Sequence, residues 1–355
     1  MTHTTSHTPS PVAPTHILGA GWAGMIAAEF WPTAEIYEHD PCAATLTGTT
    51  GAFIRCRTPS AAMVLRAPSR PVTVHRAVAT VTWDTHTDVQ PLDAALYARK
   101  TAPAGALSTR SIHKCCAAPA GSDNCRYLLL PDDLVAARQR ADIRVRYGVT
   151  SGDVAEVLCG ATPAVPVVST LPLDLTLRHL GADFRAPPRP GRTTARGGFV
   201  LETELRACDV DFCWTVYVPS SNTEISRITI TGGRAIVEFM PPEGGVEYGT
   251  DSIEAFAAHA LFQLFNVMPE DIVQWNWHRA HKIAATPEYV AWAHEVVYRL
   301  SVERGIYSLG RAATGRRGVT VDDLPQDCRV INKLLRTRSA CDYVSARDVA
   351  REGGQ

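Results

Sequence analysis

The chain carries almost no excess charge: across 355 residues, 35 Lys and Arg stand against 36 Asp and Glu, a formal net charge of −1. That balance excludes a broadly cationic surface, and with it tight non-specific binding of nucleic acid through charge alone, while leaving room for a local basic groove. A long apolar run is missing too. The opening MTHTTSHTPSPVAPT is rich in Thr, Ser and Pro without an apolar core, so it reads as neither a signal peptide nor a membrane span. Residues 1–15 are expected to form a disordered leader, and no membrane association is expected. The ten cysteines, at 42, 56, 115, 116, 125, 159, 208, 213, 328 and 341, form no C-x-x-C pair and no Cys/His metal spacing. No metal site is assigned, and the thiols are expected to be reduced, as in a cytoplasmic protein.

What is present begins at His16–Asp40, HILGAGWAGMIAAEFWPTAEIYEHD. Apolar Ile17–Leu18 runs into Gly19, Gly21 and Gly24 in G-x-G-x-x-G spacing, Met25–Phe30 reads as a helix, and Ala34–Tyr37 reads as a strand ending on Glu38. The first glycine permits a tight turn, the second a close approach of backbone to pyrophosphate, and the third close helix–strand packing. The helix N-terminus offers N–H groups to phosphate. Glu38, about 20 residues past the first glycine, is placed to accept from ribose hydroxyls. These features predict a dinucleotide site, FAD or NAD. Pro32 is the expected helix stop, which makes the first crossover helix short.

In AFIRCRTPS, Ala52, Ile54 and Cys56 alternate with Phe53, Arg55 and Arg57. Arg55 and Arg57 then share a strand face, available for phosphate or a flavin's electron-rich end, or simply solvated. Pro71–Val81 is a second β-rich segment. Residues 91–120, including YARK and RSIHKCC, read as helix and loop. A helix is expected from Pro131 to about Arg140, a strand in ADIRVRYGV, and a buried strand over Val165–Leu173 whose end carries Ser169 and Thr170, facing the cofactor. After a Pro/Arg/Gly-dense boundary at 185–198 the period becomes two. Phe212, Trp214, Val216 and Val218 share one face of a strand, and EISRITIT, Gly232–Gly233 and RAIVEF read as a hairpin. A helix over 252–267 follows, capped by Asp251 or Ser252, with His259 off its apolar stripe. In QWNWHRAHKIAAT, Trp275, Trp277, His278, His281 and Lys282 form either a pocket wall for a planar or anionic ligand or a sheet edge of packed tryptophans. Finally Ile306–Leu309 is a strand, Gly310–Arg311 a turn and Asp322–Asp323 a helix start. Such a return to the cofactor at the far end of the chain is a flavoprotein feature, since a closing helix N-terminus stabilises negative charge on a reduced flavin.

The pieces GAGWAG with Glu38, FIRCRTPS, PVTVHRAV, YARK with RSI, VVSTLPL, WTVYVPSSNTEISRITITG with IVE, HKIAAT and IYSLGRAATGRRGVTVDD occur in an order that resembles the FAD proteins of the UDP-galactopyranose mutase and amine-oxidase-like superfamily, and most of all a phage-encoded branch. The resemblance covers residues 16 to about 335. It implies an α/β fold, with a Rossmann-like FAD-binding parallel sheet, a helical part and an antiparallel β substrate domain. The corresponding segments are FAD-binding at 16–90, 127–184 and 286–340, helical and connecting at 91–126, and substrate-binding at 185–285, with a tail at 341–355. By the same resemblance Gly19, Gly21, Trp22, Ala23, Gly24 and Glu38 hold the ADP half of FAD, while Arg55, Arg57, Thr170, Gly310, Arg311, Val319 and Thr320 complete the cofactor site.

The run RAATGRRG that follows Gly310 lacks the aromatic and tyrosine run of a sugar mutase, which argues against ring contraction of a UDP-sugar. Members of the phage branch look like enzymes of thymine hypermodification, in which flavin oxidises the amine of an amino-acid adduct on the base. That implies modified DNA or a nucleotide as substrate, Arg227 or Arg311 binding its carboxylate or phosphate, Lys282 and His281 as acid/base or anion contacts, and Trp214 or Tyr307 for stacking.

Overall fold

The computed structural model describes residues 12–46, 53–78, 125–190, 195–206, 212–218, 223–231, 233–240, 249–283, 287–316 and 319–337. Residues 1–11 of the leader expected at 1–15 lie outside them, as do YARK, RSIHKCC and the C-terminal tail; the leader's last residue, Thr15, is ordered, donating its N–H to the Pro166 carbonyl at 3.0 Å.

His16–Leu18 (β1) runs through the glycine turn into Trp22–Phe30 (α1), and Glu35–Tyr37 (β2) follows. The helix is nine residues long, capped at its end by Trp31 and followed by Pro32, so the expected shortness is real. Ile54–Cys56 (β3), Ser60–Leu65 (α2), Arg70–Val78 (β4) and Cys125–Leu129 (β5) come next. Pro131–Arg138 (α3) carries proline at its first turn with Asp132 and Asp133 behind it, as the helix dipole favours. Arg144–Arg146 (β6), Ser151–Gly160 (α4), Val167–Ser169 (β7) and Leu173–Leu180 (α5) complete this half. The strand expected over Val165–Leu173 is thus only its centre, because Pro172 already caps α5.

Ala195–Glu204 (β8), Phe212–Tyr217 (β9), Ile225–Thr231 (β10) and Arg234–Phe239 (β11) lead to Thr250–Phe265 (α6). Gly249, not Asp251 or Ser252, is the N-cap of α6, and as glycine it brings no side-chain cap. Asn276–Ile283 (β12), Pro287–Arg304 (α7), Ile306–Ser308 (β13), the short Arg311–Thr314 (α8) and Leu324–Thr337 (α9) end the described chain.

Among the described residues the strands make two sheets. The first, ordered β13-β7-β1-β2-β6, is parallel throughout. In order of appearance this is 3-2-1-4-5, the doubly wound arrangement whose direction reverses between β1 and β7. Its core unites Ile17, Met25, Ile26 and Val168 with Val296, Leu300, Ile331 and Leu335. Far-separated helices thus close one interior, and at roughly 1.5–3 kcal/mol per large side chain this burial is the dominant stabilising term.

The second sheet is ordered β12-β8-β11-β10-β9-β4-β5-β3. It is antiparallel except where β4 runs parallel to β9. The expected hairpin is present, Thr231 pairing Arg234. Strands from before residue 130 extend this sheet well beyond the 185–285 segment. One face, with Leu201, Val216, Ile228, Ile230 and Val237, is sealed by Phe256, Ala260 and Leu261 of α6. The opposite face curls inward: Phe53, Leu128 and Ile236 form a small cluster although β5 and β11 are four steps apart in the sheet.

Candidate functional site

At the carboxyl end of β1 the backbone must turn within one residue, and Gly19 does so at φ +93°. A Cβ there would lie 2.5 Å from the Thr170 hydroxyl, which itself donates to the Leu18 carbonyl at 2.7 Å. Gly24 is required by proximity: its Cβ would sit 1.7 Å from the Gly19 carbonyl oxygen. Gly21 is the N-cap of α1 with no side chain satisfying the first turn, so those N–H groups remain for an anion. Trp22 is buried against the core and Ala23 lies partly open beside it. The turn, Thr170 and the α1 N-terminus therefore meet at the crevice between β1 and β7, where doubly wound folds bind ligands.

Glu38 follows the last residue of β2 and is 9% exposed. Its Oε2 accepts from the Ala20 N–H at 2.6 Å and from Arg138 Nη2 at 3.2 Å, and its Oε1 accepts from the Asp40 N–H at 3.0 Å. A carboxylate offers about four acceptor positions, so about one, on Oε1, is left for a further donor. Arg138, 3% exposed, also donates through Nε to the Ala20 carbonyl at 2.7 Å and through Nη1 to Asp40 Oδ2 and the Thr45 carbonyl, both at 2.9 Å. Nothing in the sequence pattern pointed to Arg138; its only local signal is a cation in the last turn of a helix otherwise apolar on that side.

The far end of the chain returns to this place. Leu309 donates its N–H to the Ser169 carbonyl at 2.9 Å. Gly310, at φ +95°, packs on Ala23: a Cβ built on it would lie 3.5 Å from the Ala23 Cβ. Arg311 then opens α8 as an exposed residue. Asp322, in the 3-10 turn Val321–Asp323 before α9, accepts from the Arg57 N–H at 2.7 Å and from the Thr58 N–H and hydroxyl at 3.2 and 3.1 Å. The structure thus brings Gly19, Gly21, Ala23, Gly24, Thr170 and Gly310 together, and latches Arg57 to the closing helix.

Other expected residues are differently placed. Thr320 is engaged in a capping box, its hydroxyl donating to Asp323 Oδ2 at 3.1 Å, and Val319 is buried in the main core. Arg55 reaches over the second sheet, its Nη1 donating to the Thr215 hydroxyl at 2.6 Å, with Cys213 Sγ at 3.8 Å. Tyr307 packs against the parallel-sheet core, and burial raises its phenol pKa. Trp214 sits on the helix-covered face, stacked on His75 at 5.4 Å between centroids and edge-on to Phe265 at 6.4 Å.

On the inward face, strand register aligns Tyr217, Arg227, Glu238, Val200 and His278 in one row, and Thr215, Thr229, Ile236, Glu202 and Asn276 in the next. Arg227 is ion-paired with Glu238. His278 Nε2 lies 3.3 Å from Glu202 Oε2. His281 and Lys282 pair in register with Gly197 and Arg196, several residues along β12 from the row of Arg227; the roles given to their side chains lie outside the described residues. Trp277 donates to Glu254 of α6 at 2.7 Å and stacks on Phe199, and Trp275 packs into the α6 core, so the tryptophans serve the sheet edge.

No protein-family profile matches the chain, and no curated protein matches it. Solved structures do. Reduced UDP-galactopyranose mutase matches with a TM-score of 0.58 at 14% identity, over 93% of this chain and 97% of that one. The two proteins share a fold. A CLA-producing fatty acid isomerase from P. acnes matches at 0.53, with 12% identity over 91% of this chain and 97% of that one. An oxidoreductase from Methanosarcina mazei matches at 0.51, with 13% identity over 90% of this chain and 100% of that one. The architecture expected from the sequence, a Rossmann-like parallel sheet with an antiparallel one, is therefore present, the second sheet being curled and parallel at one pairing, while the helical part expected at 91–126 lies almost wholly outside the described residues. Among the described residues no helix is long and apolar enough to cross a membrane, and no cluster of His, Cys, Asp and Glu could hold a metal ion.

Proposed function

We propose that the chain is an FAD-dependent oxidoreductase acting on the amine of an amino-acid adduct on a thymine-derived base, in modified DNA or as a nucleotide. The observation that carries the flavin reading is the meeting of Gly19, Gly24 and Gly310 at one crevice, where a Cβ on either of the first two would collide with the turn or with Thr170 and force the turn open. The residues present fit FAD: α1 N–H groups for the pyrophosphate, the remaining Glu38 acceptor for a ribose hydroxyl, and Gly310 with the turn before α9 towards the ring. When bound, FAD supplies a two-electron acceptor for hydride from the carbon next to the amine nitrogen.

The chain's own task is to position that substrate. Arg227, or Arg311 at the opening of α8, binds its carboxylate or phosphate. Lys282 and His281 serve as acid/base or anion contacts at the far end of β12. Water then hydrolyses the oxidised adduct; for a glycyl adduct this releases glyoxylate and leaves a 5-aminomethyl group on the base. A UDP-galactopyranose mutase-like reaction on a nucleotide sugar is the second reading, favoured by the fold shared with that mutase.

The test is anaerobic addition of each substrate to the yellow protein. Bleaching of the flavin by the thymidine glycyl adduct, with glyoxylate and 5-aminomethyl-deoxyuridine seen by mass spectrometry, supports amine oxidation. Turnover of a UDP-sugar only after prereduction by dithionite would replace it with the second reading.

A further inference from the structure

We propose that Arg55 binds an anionic oxygen group of the substrate, a carboxylate or a phosphate ester, inside the curl of the second sheet. This rests on reading the chain as a flavin enzyme whose second sheet holds the substrate.

Arg55 lies on β3, the edge strand, and reaches Thr215 on β9 although β5 and β4 stand between them in the sheet. Three strand spacings are about 14 Å when flat, so the guanidinium spans the inside of the curl. It is half-buried there.

Its partners are neutral. Nη1 donates to the Thr215 hydroxyl at 2.6 Å, Thr215 in turn lies 3.2 Å from the Thr229 hydroxyl, and the buried Cys213 sulfur is 3.8 Å away. Among the described residues no carboxylate comes within ion-pair distance of Arg55. Three arginines on this inward face differ: Arg227 pairs with Glu238, Arg234 with Glu202, Glu204 and Asp132, and Arg70 with Asp133.

A partly desolvated guanidinium without a counter-ion is costly to hold. The threonine pair fixes the plane of the fork without neutralising it, and the remaining N–H groups suit bidentate recognition of a carboxylate or phosphate. Arg227, one row away along β10, already faces Glu238, whereas Arg55 meets only neutral partners.

The experiment uses the FAD-loaded full chain, titrated with inorganic phosphate and with acetate while thermal unfolding and flavin absorbance are followed. The wild-type protein should show saturable stabilisation by at least one of the two, and which one identifies the group. Arg55→Met should weaken that response at least tenfold with FAD affinity unchanged within twofold, and Arg55→Lys should fall between, a point charge replacing a fork. Thr215→Val, which frees the fork but keeps the charge, should weaken it severalfold and serves if Arg55→Met does not fold. A wild-type protein indifferent to both anions, or an Arg55→Met protein that responds as wild type, overturns the proposal. So does loss of FAD binding in Arg55→Met, because the cofactor would then be the anion served. If the protein takes up no FAD, the flavin reading fails, while the thermal titration still reports on Arg55.

Discussion

The guanidinium of Arg138 holds the carboxylate of Glu38 at 3.2 Å while its Nε bonds the carbonyl of Ala20 at 2.7 Å, tying α3 to the glycine turn with one buried side chain. Glu38 and Asp40 are both buried beside it. Arg138→Met should therefore destabilise the protein by about 3–5 kcal/mol, since it leaves two buried carboxylates without their cation. Urea unfolding measures this, and the triple variant Arg138→Met, Glu38→Gln, Asp40→Asn should recover most of the loss. If the single and triple variants are equally unstable, packing and not charge sets the cost.

The glycines should rank by what a methyl group meets. Gly24→Ala drives a Cβ to 1.7 Å from backbone, whereas Gly310→Ala meets Ala23 at an ordinary 3.5 Å and is penalised mainly by its φ of +95°. We expect about 1–3 kcal/mol for Gly310→Ala and a larger loss, with failure to retain flavin, for Gly24→Ala. Melting temperature and bound-flavin stoichiometry check the order.

Asp322 receives three donors from Arg57 and Thr58. Asp322→Ala should cost about 1–2 kcal/mol, since the latch is partly solvated. Hydrogen exchange of the Arg57 and Thr58 amides should rise while amides of β1 and β7 keep their protection.

Burial first, and the Asp322 charge second, push the Cys56 thiol up to about 12. An unfolded chain ionises this thiol near the ordinary value, so above about pH 9 the unfolded state loses protons that the folded state keeps, and stability should fall as pH rises towards 12. Cys42 behaves oppositely: the Thr45 hydroxyl and neighbouring backbone N–H groups lower its pKa, and it is exposed. Peptide mapping after alkylation at pH 7–8 should find Cys42 modified and Cys56 protected. Labelling of Cys56 at the rate of Cys42 in the native protein would contradict the burial.

Short-range patterns were legible in the sequence. The glycine turn, Glu38, the hairpin through Gly232–Gly233 and the Ile306–Gly310 return were all readable because each is fixed by backbone demands within a few residues. The helix α7 was not anticipated, yet its buried Tyr289, Trp292, Ala293, Val296, Val297 and Leu300 follow helical spacing and would have revealed it. The partners of Arg55 and Arg138 were beyond reach for another reason. They lie 160 and 100 residues away, at Thr215 and Glu38, and only the curl of one sheet and the crossover of the other bring them close. The resemblance gave Trp214 a stacking role, and alternation could not test it, because it shows that two faces exist without showing which one a helix covers.

The docking of Gly310 on Ala23 has a consequence for biosynthesis. A ribosome delivers the glycine turn nearly three hundred residues before the segment that closes over it. The half-built cradle must wait, open on one side, until Gly310 has been made.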